Sequence, residues 1–257
     1  MNDNVKFQEK FYNSREYGDS IKIDTRAKAI LKMISDVKGK LLDIGCSERG
    51  DLNEVVEYIN SYIKNKTTIL DAGCGRGNYF KYFTNSFVVG LDIDRNALKE
   101  IITNNFIIQG DIKNLPLKSN CFDLVFSRSV LQYIKNPKEA INEFERVLKP
   151  NGYLIFTVPT KYSLFSIYRK ILIKMKHYYG PEPVVLFTPE YIRNLLNPAF
   201  EIELLTGYDI WFPRYVLRYN KNHILNKILF ELERKLPKWF LQNFAWEILC
   251  VAKKRKV

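Results

Sequence analysis

Nowhere in these 257 residues do 18 apolar residues run together, which argues against a membrane-spanning helix. The opening stretch MNDNVKFQEKFYNSREYGD is polar and charged and lacks the apolar core of a signal peptide. The four cysteines (Cys46, Cys74, Cys121, Cys250) are scattered, with no C-x-x-C pair and no histidine cluster beside them. Neither a disulfide framework nor a metal site is signalled. Histidine is almost missing, at His177 and His223 only, and no low-complexity tract or Pro/Gly/Ser-rich linker marks a hinge. These absences predict a cytoplasmic protein, at most peripheral at a membrane, folded as one large α/β domain or a domain with an appendage.

The residues that are present are unevenly spread. Hydrophobic residues make 46% and charged residues 26% of the chain, a globular composition, and the net charge is +12. From Thr160 to Val257 there are 17 Lys/Arg against 8 Asp/Glu, so this part carries +9 of that charge. The same part holds 18 of the 36 aromatic residues and all three tryptophans, Trp211, Trp239 and Trp246. Positive charge combined with large amphipathic side chains suits an anionic partner.

The chain writes nearly one phrase twice, LLDIGCSERGD at 41–51 and ILDAGCGRGNY at 69–79. In the second, an apolar run (Thr68, Ile69, Leu70) ends in Asp71, passes glycines at 73, 75 and 77, and opens a helical pattern with Tyr79, Phe80 and Phe83. Such a strand, glycine turn and helix start lets a ligand approach the backbone and offers amide donors to an anionic group. The segment SFVVGLDIDRNAL predicts a second strand closing on Asp92, 21 residues beyond Asp71, the spacing at which an acid can take the two hydroxyls of a ribose. A third strand ends at Asp111, and a fourth, Leu124 to Phe126, opens into a turn at Ser127. A helix with apolar Ala140, Ile141, Phe144, Val147 and Leu148 then leads through Pro-Asn-Gly to a fifth strand, Tyr153 to Val158. Strands alternating with helices predict a parallel, doubly wound sheet.

The ordered set ILDAGCGRG, VVGLDID, QGDIKNLPL, FDLVFSRSVLQYI and RVLKPNGYLIFTVP resembles a class I S-adenosylmethionine-dependent methyltransferase, most similar to methyltransferase type 11. The likeness covers about residues 68 to 159 directly. A nicotinamide-dependent dehydrogenase would carry G-x-G-x-x-G, whereas here the glycines run G-x-G-x-G, with Asn78 where the third would fall. The resemblance implies a Rossmann-like, mostly parallel seven-stranded sheet with an antiparallel last strand and helical cap elements. It implies S-adenosyl-L-methionine as cofactor, with Asp71 and the backbone around Gly73 and Gly75 on its methionine half. Asp92 would take the ribose hydroxyls, Ile93 and Ile112 the adenine faces, and Asp111 the exocyclic amine, while Ser127 lines the floor below the sulfonium. Three regions follow: 1–66, a helical segment with the partial duplicate; 67–160, the cofactor-binding core; and 161–257, a basic, aromatic substrate and cap region with the last strands of the sheet. The final strand, in AWEILCVAKKRKV, is expected at the sheet edge.

The first phrase has Ser47 where the second has Gly75, and Glu48 beside it brings negative charge to a loop meant to face a carboxylate. After it comes LNEVVEYINSYIK, an amphipathic helix with Asp51 as cap and Glu54 in capping-box position, and no acid-tipped strand before the second phrase. Residues 41–50 are therefore expected to be the remnant of a partial duplication, packed at the periphery, with convergence on a common apolar-Asp-Gly turn as the alternative.

The acceptor is written less clearly. No Asn/Asp-Pro-Pro-Tyr/Phe motif follows the fourth strand, so the familiar sign of amino-group methylation is missing. Where many relatives carry a histidine, this turn reads SRSVLQYI, with Gln132 and Tyr133, and glutamine cannot act as a base. His177, His223 and Tyr133 are the candidates for that role, and Tyr12, Tyr17 and Arg128 for lining the pocket. The expected reaction is methyl transfer to an oxygen or carbon of a small-molecule or lipid-linked acceptor, with the basic, aromatic C-terminal part in peripheral contact with an anionic membrane. An RNA methyltransferase is the alternative that the pI near 9.4 and the terminal KKRK would suit, with nucleic acid as partner. A scaffold protein that binds the cofactor without catalysis is a further alternative.

Overall fold

The computed structural model describes residues 67–80, 83, 86–101, 105–174, 183–208 and 235–256. The first phrase at 41–51, the N-terminal stretch, Tyr12, Tyr17, His177, His223 and Trp211 lie outside the described residues.

Seven strands form one sheet. They are β1 (Thr68–Ala72), β2 (Phe87–Asp92), β3 (Phe106–Gln109), β4 (Phe122–Arg128), β5 (Leu148–Pro159), β6 (Phe200–Tyr208) and β7 (Glu247–Lys254), in the spatial order β3-β2-β1-β4-β5-β7-β6. The first five run parallel, and β7 runs antiparallel to both of its neighbours, β5 and β6. The last strand thus lies between β5 and β6 instead of at the edge. An antiparallel insertion there pairs both of its sides, whereas the shorter-range expectation left one side open.

Alternation along the strands sends side chains into two layers. One cluster takes Leu70, Leu91, Val125 and Phe156, covered by helix α2 (Pro137–Val147) through Ala140, Ile141, Phe144 and Val147. The other takes Ile69, Val88, Leu124 and Ile155, covered by Tyr79, Phe80 and Phe83. Each large apolar side chain buried in these layers contributes about 1.5–3 kcal/mol. Helix α2 starts at Pro137, whose missing N–H costs nothing at a first turn. A short helix α1 (Arg95–Lys99) is capped by Asp94, whose side chain accepts from the Asn96 amide.

Three further helices are described: α3 (Leu164–Lys174), α4 (Pro189–Leu196) and α5 (Lys238–Phe244). Thr188 caps α4, its hydroxyl accepting from the Tyr191 amide at 3.1 Å. None of the described helices is long and apolar enough to cross a membrane.

At the amino end of the sheet, Asp123 locks β1 to β4 and β5. Its Oδ2 accepts from the Thr68 amide at 2.9 Å, the Thr68 hydroxyl at 2.7 Å and Lys149 Nζ at 2.9 Å. The opposite, carboxyl end is left for chemistry. There the strand order reverses between β1 and β4, and open parallel sheets bind ligands outside the carboxyl ends at such a reversal.

Candidate active site

Register brings the sequence-predicted residues to this edge. Asp71 in β1 pairs with Gly90 of β2 and Phe126 of β4, so Asp71, Asp92 and Ser127 all stand at the carboxyl ends of neighbouring strands. The Gly110 amide donates to the Asp92 carbonyl at 2.9 Å, which carries the loop of Asp111 and Ile112 to the same place.

The Asp71 carboxyl is buried, and its Oδ2 has no hydrogen-bond partner. Burial, and after it the charge of Asp92, pushes it up to about 8, so at neutral pH the folded chain holds it mostly protonated. Burial raises Asp92 too, against the amides that lower it. Its Oδ2 accepts from Gly75 N–H at 2.8 Å and its Oδ1 from Asp94 N–H at 2.9 Å. Each of those oxygens keeps a lone pair for another donor.

The glycine loop differs from the expectation in one respect. The amides of Gly73 and Cys74 donate to the Leu91 carbonyl at 2.7 and 3.0 Å, that of Gly75 to Asp92, and that of Gly77 to the Cys74 carbonyl at 2.9 Å. The amides of Gly73, Cys74 and Gly75 thus tie the loop to β2 and that of Gly77 closes a turn within it, instead of facing an anion. The described residues beyond it continue in i→i+3 turns, Phe80 N–H to Gly77 O and Phe83 N–H to Phe80 O, each at 3.1 Å. What the loop offers is room: a Cβ on Gly75 would have nothing within 4 Å, whereas one on Gly73 would come within 2.3 Å of Val130 Cγ2. Both glycines have positive φ, 83° at Gly73 and 54° at Gly75.

The remaining candidates take different positions. Ile93 is partly exposed beyond β2, while Ile112 is buried in the larger core cluster. The Asp111 carboxylate sits at the rim, 39% exposed, with Oδ1 taking the Lys113 amide at 2.9 Å and Oδ2 3.3 Å from Lys113 Nζ. Its loop is clamped to α2, because Glu143 accepts from the Leu115 amide at 2.7 Å and Arg146 donates to the carbonyls of Leu117 and Leu115 at 2.7 and 3.0 Å. Ser127 is fully buried and its Oγ has no partner. Gln132 and Tyr133 lie in a single 3-10 turn, Leu131–Tyr133, just past β4. The Gln132 side chain is buried with Oε1 unpartnered, while its carbonyl takes the amides of Val184 and Val185 at 2.7 and 3.0 Å.

Arg128, a pocket candidate from the sequence, stands at this edge in a polar group whose other members, Ser129 and Glu247, were not read from the sequence. Ser129, with φ 53°, donates through its hydroxyl to Glu247 Oε1 at 2.8 Å, and Arg128 Nη2 lies 4.0 Å from Glu247 Oε2. The Arg128 guanidinium also rests 5.3 Å from the centre of the Tyr79 ring. The acid in AWEIL was visible, but nothing in its spacing ties it to a turn 118 residues earlier.

Comparison with known proteins agrees with this geometry. Residues 70–156 match the family model described as a methyltransferase domain. An uncharacterised protein of Methanocaldococcus jannaschii is 31% identical over 217 residues, 78% of this chain and 81% of its own length. A malonyl-[acyl-carrier protein] O-methyltransferase of Buchnera aphidicola is 35% identical over 38% of this chain and 42% of its own. A tRNA (carboxymethyluridine(34)-5-O)-methyltransferase of Arabidopsis thaliana is 32% identical over 61% of this chain and 40% of its own. Among solved structures, a SAM-dependent methyltransferase of Methanosarcina mazei superposes with a TM-score of 0.56 at 18% identity, covering 78% of this chain and 98% of that one. The chain belongs to the class I S-adenosylmethionine-dependent methyltransferases, enzymes whose methyl donor is S-adenosyl-L-methionine.

Proposed function

We propose that this methyltransferase acts on an oxygen of a small or lipid-linked acceptor, and that the oxygen belongs to a carboxylate. The observation that carries the proposal is the end of β4 and the turn beyond it, where Ser127 Oγ and Gln132 Oε1 are buried and unpartnered. Both can orient a substrate and neither takes up a proton at neutral pH. A carboxylate arrives already ionised, so alignment in line with the methyl group suffices and no general base is needed. The names of the Buchnera and Arabidopsis relatives point the same way, since both put the methyl on oxygen, one with a malonyl and the other with a carboxymethyl group.

The donor site fits the cofactor through the chain's own residues. Asp71, with a buried unpartnered Oδ2, would take the ammonium of the methionine half, beside the space left open over Gly75. Asp92 has a lone pair on each oxygen for the ribose hydroxyls, Ile93 and Ile112 would flank the adenine, and Asp111 at the rim would meet its amine. Ser127 would line the floor under the reacting end. Bound there, the cofactor would supply a methyl group on a sulfonium, so that transfer to the carboxylate would break one C–S bond, form one C–O bond and release S-adenosylhomocysteine with its sulfur neutral.

The test is incubation with methyl-labelled S-adenosylmethionine and a panel of carboxylic acids, including malonyl thioesters and fatty acids. A methyl ester releases its label as methanol in alkali. Alkali-labile label supports the reading, and label that survives alkali, as on an ether or a carbon, overturns it. Failure of the protein to bind S-adenosylhomocysteine in a calorimetric titration would overturn the donor site itself. An RNA acceptor is the second reading, favoured by the net charge of +12. It requires label in tRNA and none in the acids.

A further inference from the structure

Helix α3 leaves the carboxyl end of β5, the same end of the sheet as Asp71 and Ser127, and among its described side chains an apolar stripe is exposed. Small polar side chains face inward: Ser163 and Ser166 are buried, their hydroxyls 2.9 Å apart, with Ser166 Oγ donating to the Thr160 carbonyl at 2.7 Å. Large apolar side chains face outward. Leu164 is 59%, Ile167 52% and Tyr168 37% exposed, and their i, i+3, i+4 spacing sets them in one stripe. Tyr162, 48% exposed, extends the stripe at its foot, with Lys161 Nζ 5.5 Å from its ring centre. Lys161, Lys170 and Lys174 are exposed beside it. From Thr160 to Gly180 the sequence holds five Lys/Arg and no Asp or Glu.

Leu164, Ile167 and Tyr168 together leave a contiguous apolar stripe in contact with water, an arrangement that marks an interaction surface. We infer that α3 lies in the headgroup layer of an anionic membrane, its apolar stripe at the acyl boundary and its lysines on anionic headgroups. Charge complementarity selects an anionic surface over a zwitterionic one. The Leu, Ile and Tyr stripe selects a bilayer over RNA, because phosphates give exposed leucine and isoleucine nothing to bury against. The inference deepens the reading of a lipid-linked acceptor and rests on it, since docking α3 brings the carboxyl end of the sheet to the surface where such an acceptor resides.

The experiment is co-sedimentation of the full chain with vesicles of phosphatidylcholine containing about one-third phosphatidylglycerol, and with phosphatidylcholine alone. Binding to the anionic vesicles only, released by high salt, is expected. Leu164→Ser/Ile167→Ser and Lys170→Gln/Lys174→Gln should each weaken it by roughly ten-fold. Because these side chains are exposed, both variants should bind S-adenosylhomocysteine in solution as the wild type does. No binding by the wild type, or undiminished binding by both variants, overturns the inference. Weakening by the lysine pair alone overturns insertion in favour of adsorption by charge. Vesicle binding and cofactor binding are read separately, so a chain that binds vesicles but no S-adenosylhomocysteine refutes the methyltransferase site and leaves the membrane surface standing.

Discussion

The Ser129 hydroxyl donates a 2.8 Å hydrogen bond to Glu247, joining the turn after β4 to the first residue of β7. The bond holds a turn that would otherwise be unfavourable, because Ser129 is a non-glycine residue at φ 53°. Its amide donates to the Thr157 carbonyl at 3.1 Å, and the next residue, Val130, is seated against Gly73 of the cofactor loop. Glu247 therefore fixes, through two residues, a wall of the proposed donor site.

Replacing Glu247 with alanine removes the carboxylate that both Ser129 and Arg128 face. It should cost about 2–3 kcal/mol in urea unfolding and weaken S-adenosylhomocysteine binding. Glu247→Gln keeps an acceptor for the Ser129 hydroxyl and should recover a large part of the binding. Ser129→Gly loses the hydroxyl but relieves the left-handed backbone, so its stability should stay within about 1 kcal/mol of the wild type.

Two glycines two residues apart should fail differently. Gly73→Ala places a methyl 2.3 Å from Val130 Cγ2 at φ 83°, and the clash and strain together should cost about 2–4 kcal/mol of stability. Gly75→Ala meets no protein atom within 4 Å, so it should cost only the backbone term, about 1 kcal/mol, yet reduce cofactor affinity by intruding on the open space. Thermal unfolding paired with calorimetry on each variant separates the two, and equal stability losses would refute the distinction.

Asp71 predicts a pH dependence with a definite sign. Its folded value of about 8 lies above the ordinary 3.8, so the native state holds a proton that the unfolded chain releases. The stability this confers is complete below about pH 4 and is lost as pH rises to about 8. Asp71→Asn should flatten that part of the profile in denaturant titrations across the range. An ammonium brought against Asp71 favours the carboxylate, so binding at pH 7 should release a proton, read as a binding enthalpy that changes with the ionisation enthalpy of the buffer.

Much of the sheet was legible because its signals are local. Apolar runs ending in Asp71 and Asp92 mark strands by their own composition, and Thr188 followed by Pro189 marks a helix start in the same way; the third strand stops at Gln109, short of the expected Asp111, which bridges to Asn114 in the loop beyond. Less legible was anything decided by partners distant in sequence. The place of β7 between β5 and β6 depends on pairing Tyr153 with Lys253 and Glu201 with Lys253, which no periodicity encodes. The loop amides read as an anion cradle because glycines at 73, 75 and 77 permit one. The acceptors for Gly73 and Gly75, Leu91 O and the Asp92 carboxylate, come from the adjacent strand and are fixed by register, while Gly77 donates to Cys74 O within the loop. Ser127 could be named from its place after β4, but its unpartnered hydroxyl emerges only once Phe126 packs beside Asp71.

The insertion of β7 also sets an order on biosynthesis. Among the described residues β6 pairs with β7 alone, and β5 pairs with β7 on the side away from β4. A nascent chain that has emerged through Tyr208 therefore holds two strands whose backbone edges await residues 247–254. Until those few residues clear the ribosome, the half-built sheet offers open edges to neighbouring chains, so chaperone demand during translation should peak just before the last strand appears.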